Sequence, residues 1–254
     1  MNAVPDVLVE QRGAVLVLTL NRPHRLNAID EGLSRALGDA LDRADRDNGV
    51  GAVVIAAAGK AFCAGMDLDA FLGGEPIRHP ERPEWGIAGI VRHQVCVPMI
   101  AAVHGVAAGG GFEIALACDL VVAEESARFA LPEIKLGLFA AAGGLLRLPA
   151  RIPAQVAAEL AYTGRFATAT ELAGWGLVNR TVPDGTALDA AIELAAGIAA
   201  QAPAAVRATK QLLSRATAVE DEAWAVNDEL MRTVFSTDDA KEGVNAFLGN
   251  RRAR

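Results

Sequence analysis

The chain has 254 residues, a formal net charge of −7, 52% hydrophobic and 22% charged residues, a globular composition long enough for one large core with or without an appendage. No stretch reaches the roughly 18 uninterrupted apolar residues of a membrane span, because His104, Glu113 and Asp119 break the longest apolar region. The acidic balance, with its one dense basic cluster at Arg251, Arg252 and Arg254, argues against a nucleic-acid partner, and the opening Met1 to Asp6 lacks the basic and apolar regions of a secretory signal.

Val7 to Val9 and Ala14 to Leu20 are β-rich runs that predict a hairpin turning at Glu10 to Gly13. Asn21 to Arg25 is a loop, and Asp30 is placed to cap a helix through Leu33, Leu37, Ala40 and Leu41. A buried strand is expected at Ala52 to Ala57, a glycine loop at Gly59 to Gly65, and a helix from about Asp67. The same order returns at once: strand Met99 to Val103, glycine loop Gly105 to Gly111, helix Phe112 to Ala117. In both, two glycines six residues apart precede an acidic residue, the mark of a repeated strand-turn-helix unit.

Leu120 to Val122 and Ala127 to Ala130 are further strand-like pieces leading into Pro132-Glu133. Gly143-Gly144 opens a helical region, and Thr168-Ala169-Thr170-Glu171 is a capping box. After Pro183-Asp184-Gly185 the chain reads as helices only, punctuated by Pro203, Thr217 and Asp238. The first of them carries an apolar face of Leu188, Ile192, Ala195, Ala196 and Ala199. The expected organisation is an α/β core over residues 1–185 and a helical region over 186–254. Gly73 to Trp85, rich in Gly, Pro and charge, reads as a mobile loop.

Familiar catalytic signatures are absent: no G-x-S-x-G, no H-E-x-x-H, no phosphate-binding G-x-x-x-x-G-K-[ST]. Cys63, Cys96 and Cys118 are too far apart for a C-x-x-C pair, which points away from a disulfide framework and towards a reducing cytoplasm. His24, His79, His93 and His104 show no ligand spacing, so no metal is expected, and His104 in its apolar run reads as a core histidine.

The informative stretch runs from Val103 to Ala123. Gly109-Gly110-Gly111 at a helix start costs about 1 kcal/mol per glycine against alanine. Two readings stand: a tight contact that excludes side chains, or a backbone site where free N–H groups and the helix dipole suit a developing oxyanion. Glu113 lies one turn inside an apolar helix, where an unpaired carboxylate is costly and its pKa rises. Glu133 follows among Ala130, Leu131, Pro132 and Ile134. Either alone reads as an ion-pair or turn residue; two beside an oxyanion site suggest acid-base chemistry on a carbonyl substrate.

From end to end the chain resembles the crotonase (enoyl-CoA hydratase/isomerase) superfamily. The resemblance rests on Asn21-Arg22-Pro23 with Asn27-Ala28, Lys60 to Leu68, His104-Gly105 to Glu113 with Cys118-Asp119, and Phe129 to Gly137. Tyr162 to Arg165 with Gly176 to Val178, and Lys241 to Gly243 with Ala246-Phe247, complete it. It implies a spiral of ββα repeats with a C-terminal helical region that trimerises, as a homotrimer or a dimer of trimers. It implies an acyl-coenzyme A thioester as substrate, with coenzyme A arriving as part of that substrate and no separate cofactor.

The resemblance assigns the oxyanion hole to the backbone N–H groups of Met66 and Gly110, and the acid-base pair to Glu113 and Glu133. Both glutamates stand at the positions hydratases use, implying reversible syn addition of water to a trans-2-enoyl-CoA. A Δ3,Δ2-isomerase, a carnitinyl-like or steroid side-chain dehydratase, or a non-catalytic acyl-CoA-binding scaffold is the alternative. Coenzyme A contacts map to Arg25, Ala28, Ala64, Asp67, Leu68 and Phe247. Where many hydratases have Pro-Gly beside the catalytic water, this chain has Leu138 to Ala142, leaving Ala141 to supply the backbone donor. Asn250 replaces a phosphate-binding lysine, with Arg251 or Arg252 as substitutes, and Gly73 to Trp85 is expected to line the acyl pocket.

Overall fold

The computed structural model describes residues 4–216, 219–249 and 251. β1 (Val7–Arg12) and β2 (Val15–Leu20) form an antiparallel hairpin closed by Gly13, at φ +62°. The strand runs through Glu10 to Arg12, where a turn was expected. Those polar residues point to solvent along an edge strand, which tolerates polar side chains without ceasing to be a strand.

α1 (Glu31–Arg46) begins where Leu33 N–H donates to the Asp30 carboxylate at 2.9 Å, and it buries Leu33, Leu37, Ala40, Leu41 and Ala44. Next come β3 (Ala52–Ala57), α2 (Leu68–Leu72), β4 (Met99–Val103), β5 (Val106–Ala108) and α3 (Gly110–Ala117). They are followed by β6 (Leu120–Glu124), β7 (Arg128–Ala130), a 3₁₀ turn (Pro132–Leu136), α4 (Gly144–Arg151) and α5 (Ala154–Thr163). β8 (Ala167–Thr168), α6 (Ala169–Gly174), β9 (Arg180–Val182), α7 (Ala187–Ala199), α8 (Pro203–Ala216), α9 (Asp221–Val234) and α10 (Asp238–Leu248) complete the chain. Thr168 and Glu171 form the reciprocal capping box at α6. The expected break at Thr217 lies outside the described residues.

Six strands make one sheet in the order β1-β2-β3-β4-β6-β9, parallel from β2 onward, and β5-β7-β8 make a second. The chain passes from the large sheet to the small one and then to a helix. β4, β5 and α3 do so; β6, β7 and the 3₁₀ turn do so again. β3, Cys63 and α2 make an abbreviated unit in which Cys63 bridges in parallel to Ala107. The repeating unit is therefore ββα; β5 lies inside what reads in the sequence as a glycine loop.

Parallel strands buried on both faces need near-continuous apolar runs, and their alternation divides the core. Leu16, Leu18, Leu20, Val53 and Ile55 face α1 and α3, while Val15, Val17, Val54, Ile100 and Val122 face α7. The apolar stripe of α7 is thus occupied by the chain's own sheet, within the C-terminal region that the resemblance assigns to contacts between subunits.

Gly73 to Trp85 is irregular but anchored. His79 is 3% exposed, with its ring 3.1 Å from an Asp39 carboxylate oxygen and edge-on to Trp85, which in turn stacks on His93 at 4.0 Å. Both His79 and Trp85 press on α1 at Gly38. His104 is only half-buried and sits 2.9 Å from the Gly59 carbonyl, so it belongs to the rim of the loop.

Candidate active site

Two glycine turns meet at the N-terminus of α3. Ile29 N–H donates to Gly65 O at 2.8 Å and Asp67 N–H to Ile29 O at 2.9 Å, which holds the Gly65-Met66 turn in place. The Met66 N–H between them has no backbone acceptor among the described residues. Gly110 is the first residue of α3, where an N–H has no acceptor within the helix. A side chain on Gly110 would begin 3.7 Å from Met66 N, so the two free donors lie close together.

The glycine triplet satisfies both sequence readings, residue by residue. At Gly111 a Cβ would stand 2.2 Å from the Cys63 carbonyl oxygen, which is the tight contact. At Gly109, with φ +52°, it would stand 2.8 Å from Glu133 Oε1, so the glycine keeps space for that carboxyl group.

Glu113 is 2% exposed and accepts Gly144 N–H at 2.8 Å. Burial raises its pKa to about 7, while the N–H groups of Gly144 and Ala142 and the Arg147 guanidinium pull the other way. Glu133 comes from the 3₁₀ turn, and its Oε2 is closed off from solvent with no hydrogen-bond partner among the described residues. Burial and then the neighbouring charge of Glu113 raise its pKa to about 8. The environments of the pair differ: backbone N–H donors and Arg147 favour the ionised form of Glu113, while burial and the neighbouring Glu113 charge oppose ionisation of Glu133.

The residues assigned to coenzyme A divide. Asp67 is 4% exposed, caps α2 through Asp69 N–H and Ala70 N–H, and takes Arg25 at 3.0 Å and Arg22 at 3.3 Å. Ala28 N–H donates to the Arg25 carbonyl and Ala64 N–H to that of Leu26, both at 3.0 Å, but the Arg25 guanidinium is held by Asp69 and Asp67, which raise its pKa further. Leu68 is packed with Leu138, Ala240 and Val244. Phe247 is 59% exposed on α10, and Arg251 pairs with Glu242; Asn250 and Arg252 lie outside the described residues.

Ala141 is next to the donors: Ala142 and Gly144 face Glu113, while the Ala141 carbonyl accepts the Asn227 amide at 2.9 Å. Sequence reasoning missed Ala142, Gly144, Arg147 and Asn227. An open apolar groove of about 260 Å³ runs between α4 and α9, lined by Phe139, Leu145, Leu146, Val226, Leu230 and Val234 among others. No residue of Gly73 to Trp85 lines it. Among the described residues no three His, Cys, Asp or Glu side chains are grouped to hold a metal, and no helix is long and apolar enough to cross a membrane.

The fold of ββα units, with two backbone donors and two buried carboxyl groups gathered about the N-terminal part of α3, defines a class, and comparison with known proteins agrees with it. Residues 10–254 match the enoyl-CoA hydratase/isomerase family, and the chain belongs to it. Enoyl-CoA hydratase EchA19 of Mycobacterium tuberculosis is 39% identical over 97% of this chain and 95% of its own length. Carnitinyl-CoA dehydratase of Proteus mirabilis is 39% identical over 94% of each. The crystal structure of a carnitinyl-CoA hydratase from Mycobacterium avium is similar at a TM-score of 0.96 and 46% identity, covering 99% of this chain and 98% of that one.

Proposed function

We propose that the protein is an enoyl-CoA hydratase, a hydro-lyase that adds water reversibly to a trans-2-enoyl-CoA to give a 3-hydroxyacyl-CoA. The observation that carries this reading is the pair of carboxyl groups with different proton demands beside two unpaired backbone donors. The thioester oxygen accepts from Met66 N–H and Gly110 N–H, which stabilise the enolate that forms as the double bond is attacked. Glu113, the more easily ionised group, takes a proton from water as its oxygen bonds to the β carbon. Glu133, the protonated partner, delivers a proton to the α carbon on the same face. The groove between α4 and α9, beginning one residue after Gly144, takes the acyl chain.

A carnitinyl thioester is the second reading, because relatives of similar identity carry that name. Its quaternary ammonium group needs a free aromatic face or a carboxylate. Trp224, which lies against Gly143 beside the Glu113 donors, already has Arg92 over its ring at 4.0 Å and Arg147 at 5.5 Å. Those cations favour an uncharged acyl group. Purified protein should remove the enone absorbance of crotonyl-CoA and turn over crotonobetainyl-CoA far more slowly; the reverse order would replace the first reading with the second, and inertness towards both would remove them. Assembly as a trimer or a dimer of trimers is part of the proposal, supported by the exposed Leu212 on α8 and Leu248 on α10, and light scattering reads it directly.

A further inference from the structure

The turn that holds Glu113 is itself held from the other end of the chain. Asn227 on α9 is 5% exposed, and its amide N–H donates to the Ala141 carbonyl at 2.9 Å across 86 residues of sequence. In a planar trans peptide the carbonyl of one residue and the N–H of the next point in opposite directions. Fixing the Ala141 carbonyl therefore fixes the direction of the Ala142 N–H, on the side where Glu113 lies. The next peptide is fixed in the same way, since Arg147 donates to the Ala142 carbonyl at 3.4 Å. Two residues further on, Gly144 N–H reaches Glu113 Oε1 at 2.8 Å.

Asn227 does not float. Its amide also donates to Asp228 Oδ1 at 3.3 Å, and Asp228 is gripped by both terminal nitrogens of Arg92, one at 3.0 Å. Arg92 and Arg147 flank Trp224, which closes against Gly143. An apolar side chain at 227 would fill the space equally well but would leave the buried Ala141 carbonyl without a donor.

We propose that Asn227 is a positioning residue for the acid-base chemistry: through the Ala141 carbonyl it sets the turn whose N–H groups hold Glu113 ready as the ionised base. The inference deepens the hydratase reading and rests on it for its functional meaning. The charged groups that face Glu113 are Glu133 from the 3₁₀ turn and Arg147 from α4; β4 and β5, also packed on α3, carry no ionisable side chain. None of these is altered by a change at 227.

Asn227→Leu keeps the volume and removes the donor, and Asn227→Ser is too short to reach the carbonyl and disturbs packing least. Isotope-edited infrared titration of the glutamate carboxyl groups, with Glu113→Gln to assign the band, reads the proton on Glu113 without needing turnover. Loss of N–H donors to an ionised carboxylate raises its pKa. Both variants should move the Glu113 midpoint upward by about half a pH unit or more. Hydration of crotonyl-CoA at neutral pH should fall about twofold or more in kcat with KM nearly unchanged, in step with the smaller ionised fraction of Glu113. An unmoved midpoint in either folded variant overturns the proposal, since a merely structural asparagine would lower the melting temperature and leave the titration alone. If the unaltered protein proves inert towards crotonyl-CoA while the midpoint shifts, the positioning role stands and the hydratase reading falls.

Discussion

Glu113 at the start of α3 and Glu133 in the 3₁₀ turn are chemically identical and both removed from water, yet the protein treats them in opposite ways. Glu113 has backbone N–H groups and a half-buried guanidinium beside it; Glu133 has an oxygen with no hydrogen-bond partner among the described residues. Two carboxyl groups so close cannot both ionise easily, and the donors decide which does. In the proposed mechanism, the division of labour between acid and base thus comes from a few peptide N–H groups placed on one side of the pair.

The largest effect should come from abolishing that division. Glu113→Gln and Glu133→Gln should each cost about 10²–10⁴ in kcat for hydration, roughly 3–5 kcal/mol of transition-state stabilisation, with folding and acyl-CoA binding retained. The double variant should lose less than the product of the two, because both groups serve one water and one enolate. Full hydratase activity in Glu113→Gln would end the assignment; an isomerase working with one base would keep near-normal turnover of a 3-enoyl-CoA in one single variant.

A subtler test is the pH profile. Activity should rise as Glu113 ionises near pH 7 and fall as Glu133 ionises near pH 8, giving a narrow bell that belongs to the pair. Stability carries the same signature. Both folded-state values lie above the unfolded range of about 4.3, so the folded state binds more protons and loses stability as pH rises from there through 8. Glu133→Gln should flatten that decline, and thermal melts at pH 5 and pH 8 measure it.

The smallest effect is expected far from the carboxyl groups. Arg25→Ala should raise KM for the coenzyme A thioester a few-fold and leave kcat almost alone, since a guanidinium suits phosphate oxygens remote from the reacting carbons. Its present partners, Asp67 and Asp69, make the outcome informative: an unchanged KM would mean that Arg25 serves the turn alone.

Much of this was legible in the chain. The apolar runs of β3 and β4, the caps at Asp30 and Thr168, the paired glycine turns and the two glutamates are local signals, set by residues within a few positions of one another. What was not legible depends on distance. β5 is three residues long among glycines, and polar Glu10 to Arg12 is a strand only because an edge lets it be one. Gly73 to Trp85 looked free because its anchors, Asp39 and Gly38 in α1 and His93 beyond it, are supplied by the tertiary fold. Arg147 looks like any helical arginine until the fold places it near Glu113, and Asn227 has no local pattern at all.

The contact between α10 and the 3₁₀ turn has a consequence for how the protein ages. A Cβ on Gly243 would stand 2.2 Å from the Leu136 carbonyl oxygen, and one on Gly137 would stand 2.8 Å from the Asp239 backbone. The turn carrying Glu133 therefore rests on bare main chain from the last helix, reached through the exposed Ser236 and Thr237 link. A single proteolytic nick in that link would leave the sheet and both glutamates intact, yet loosen the surface against which one of them is set. Inactivation would then precede unfolding, and a preparation could keep its circular dichroism while its turnover decayed.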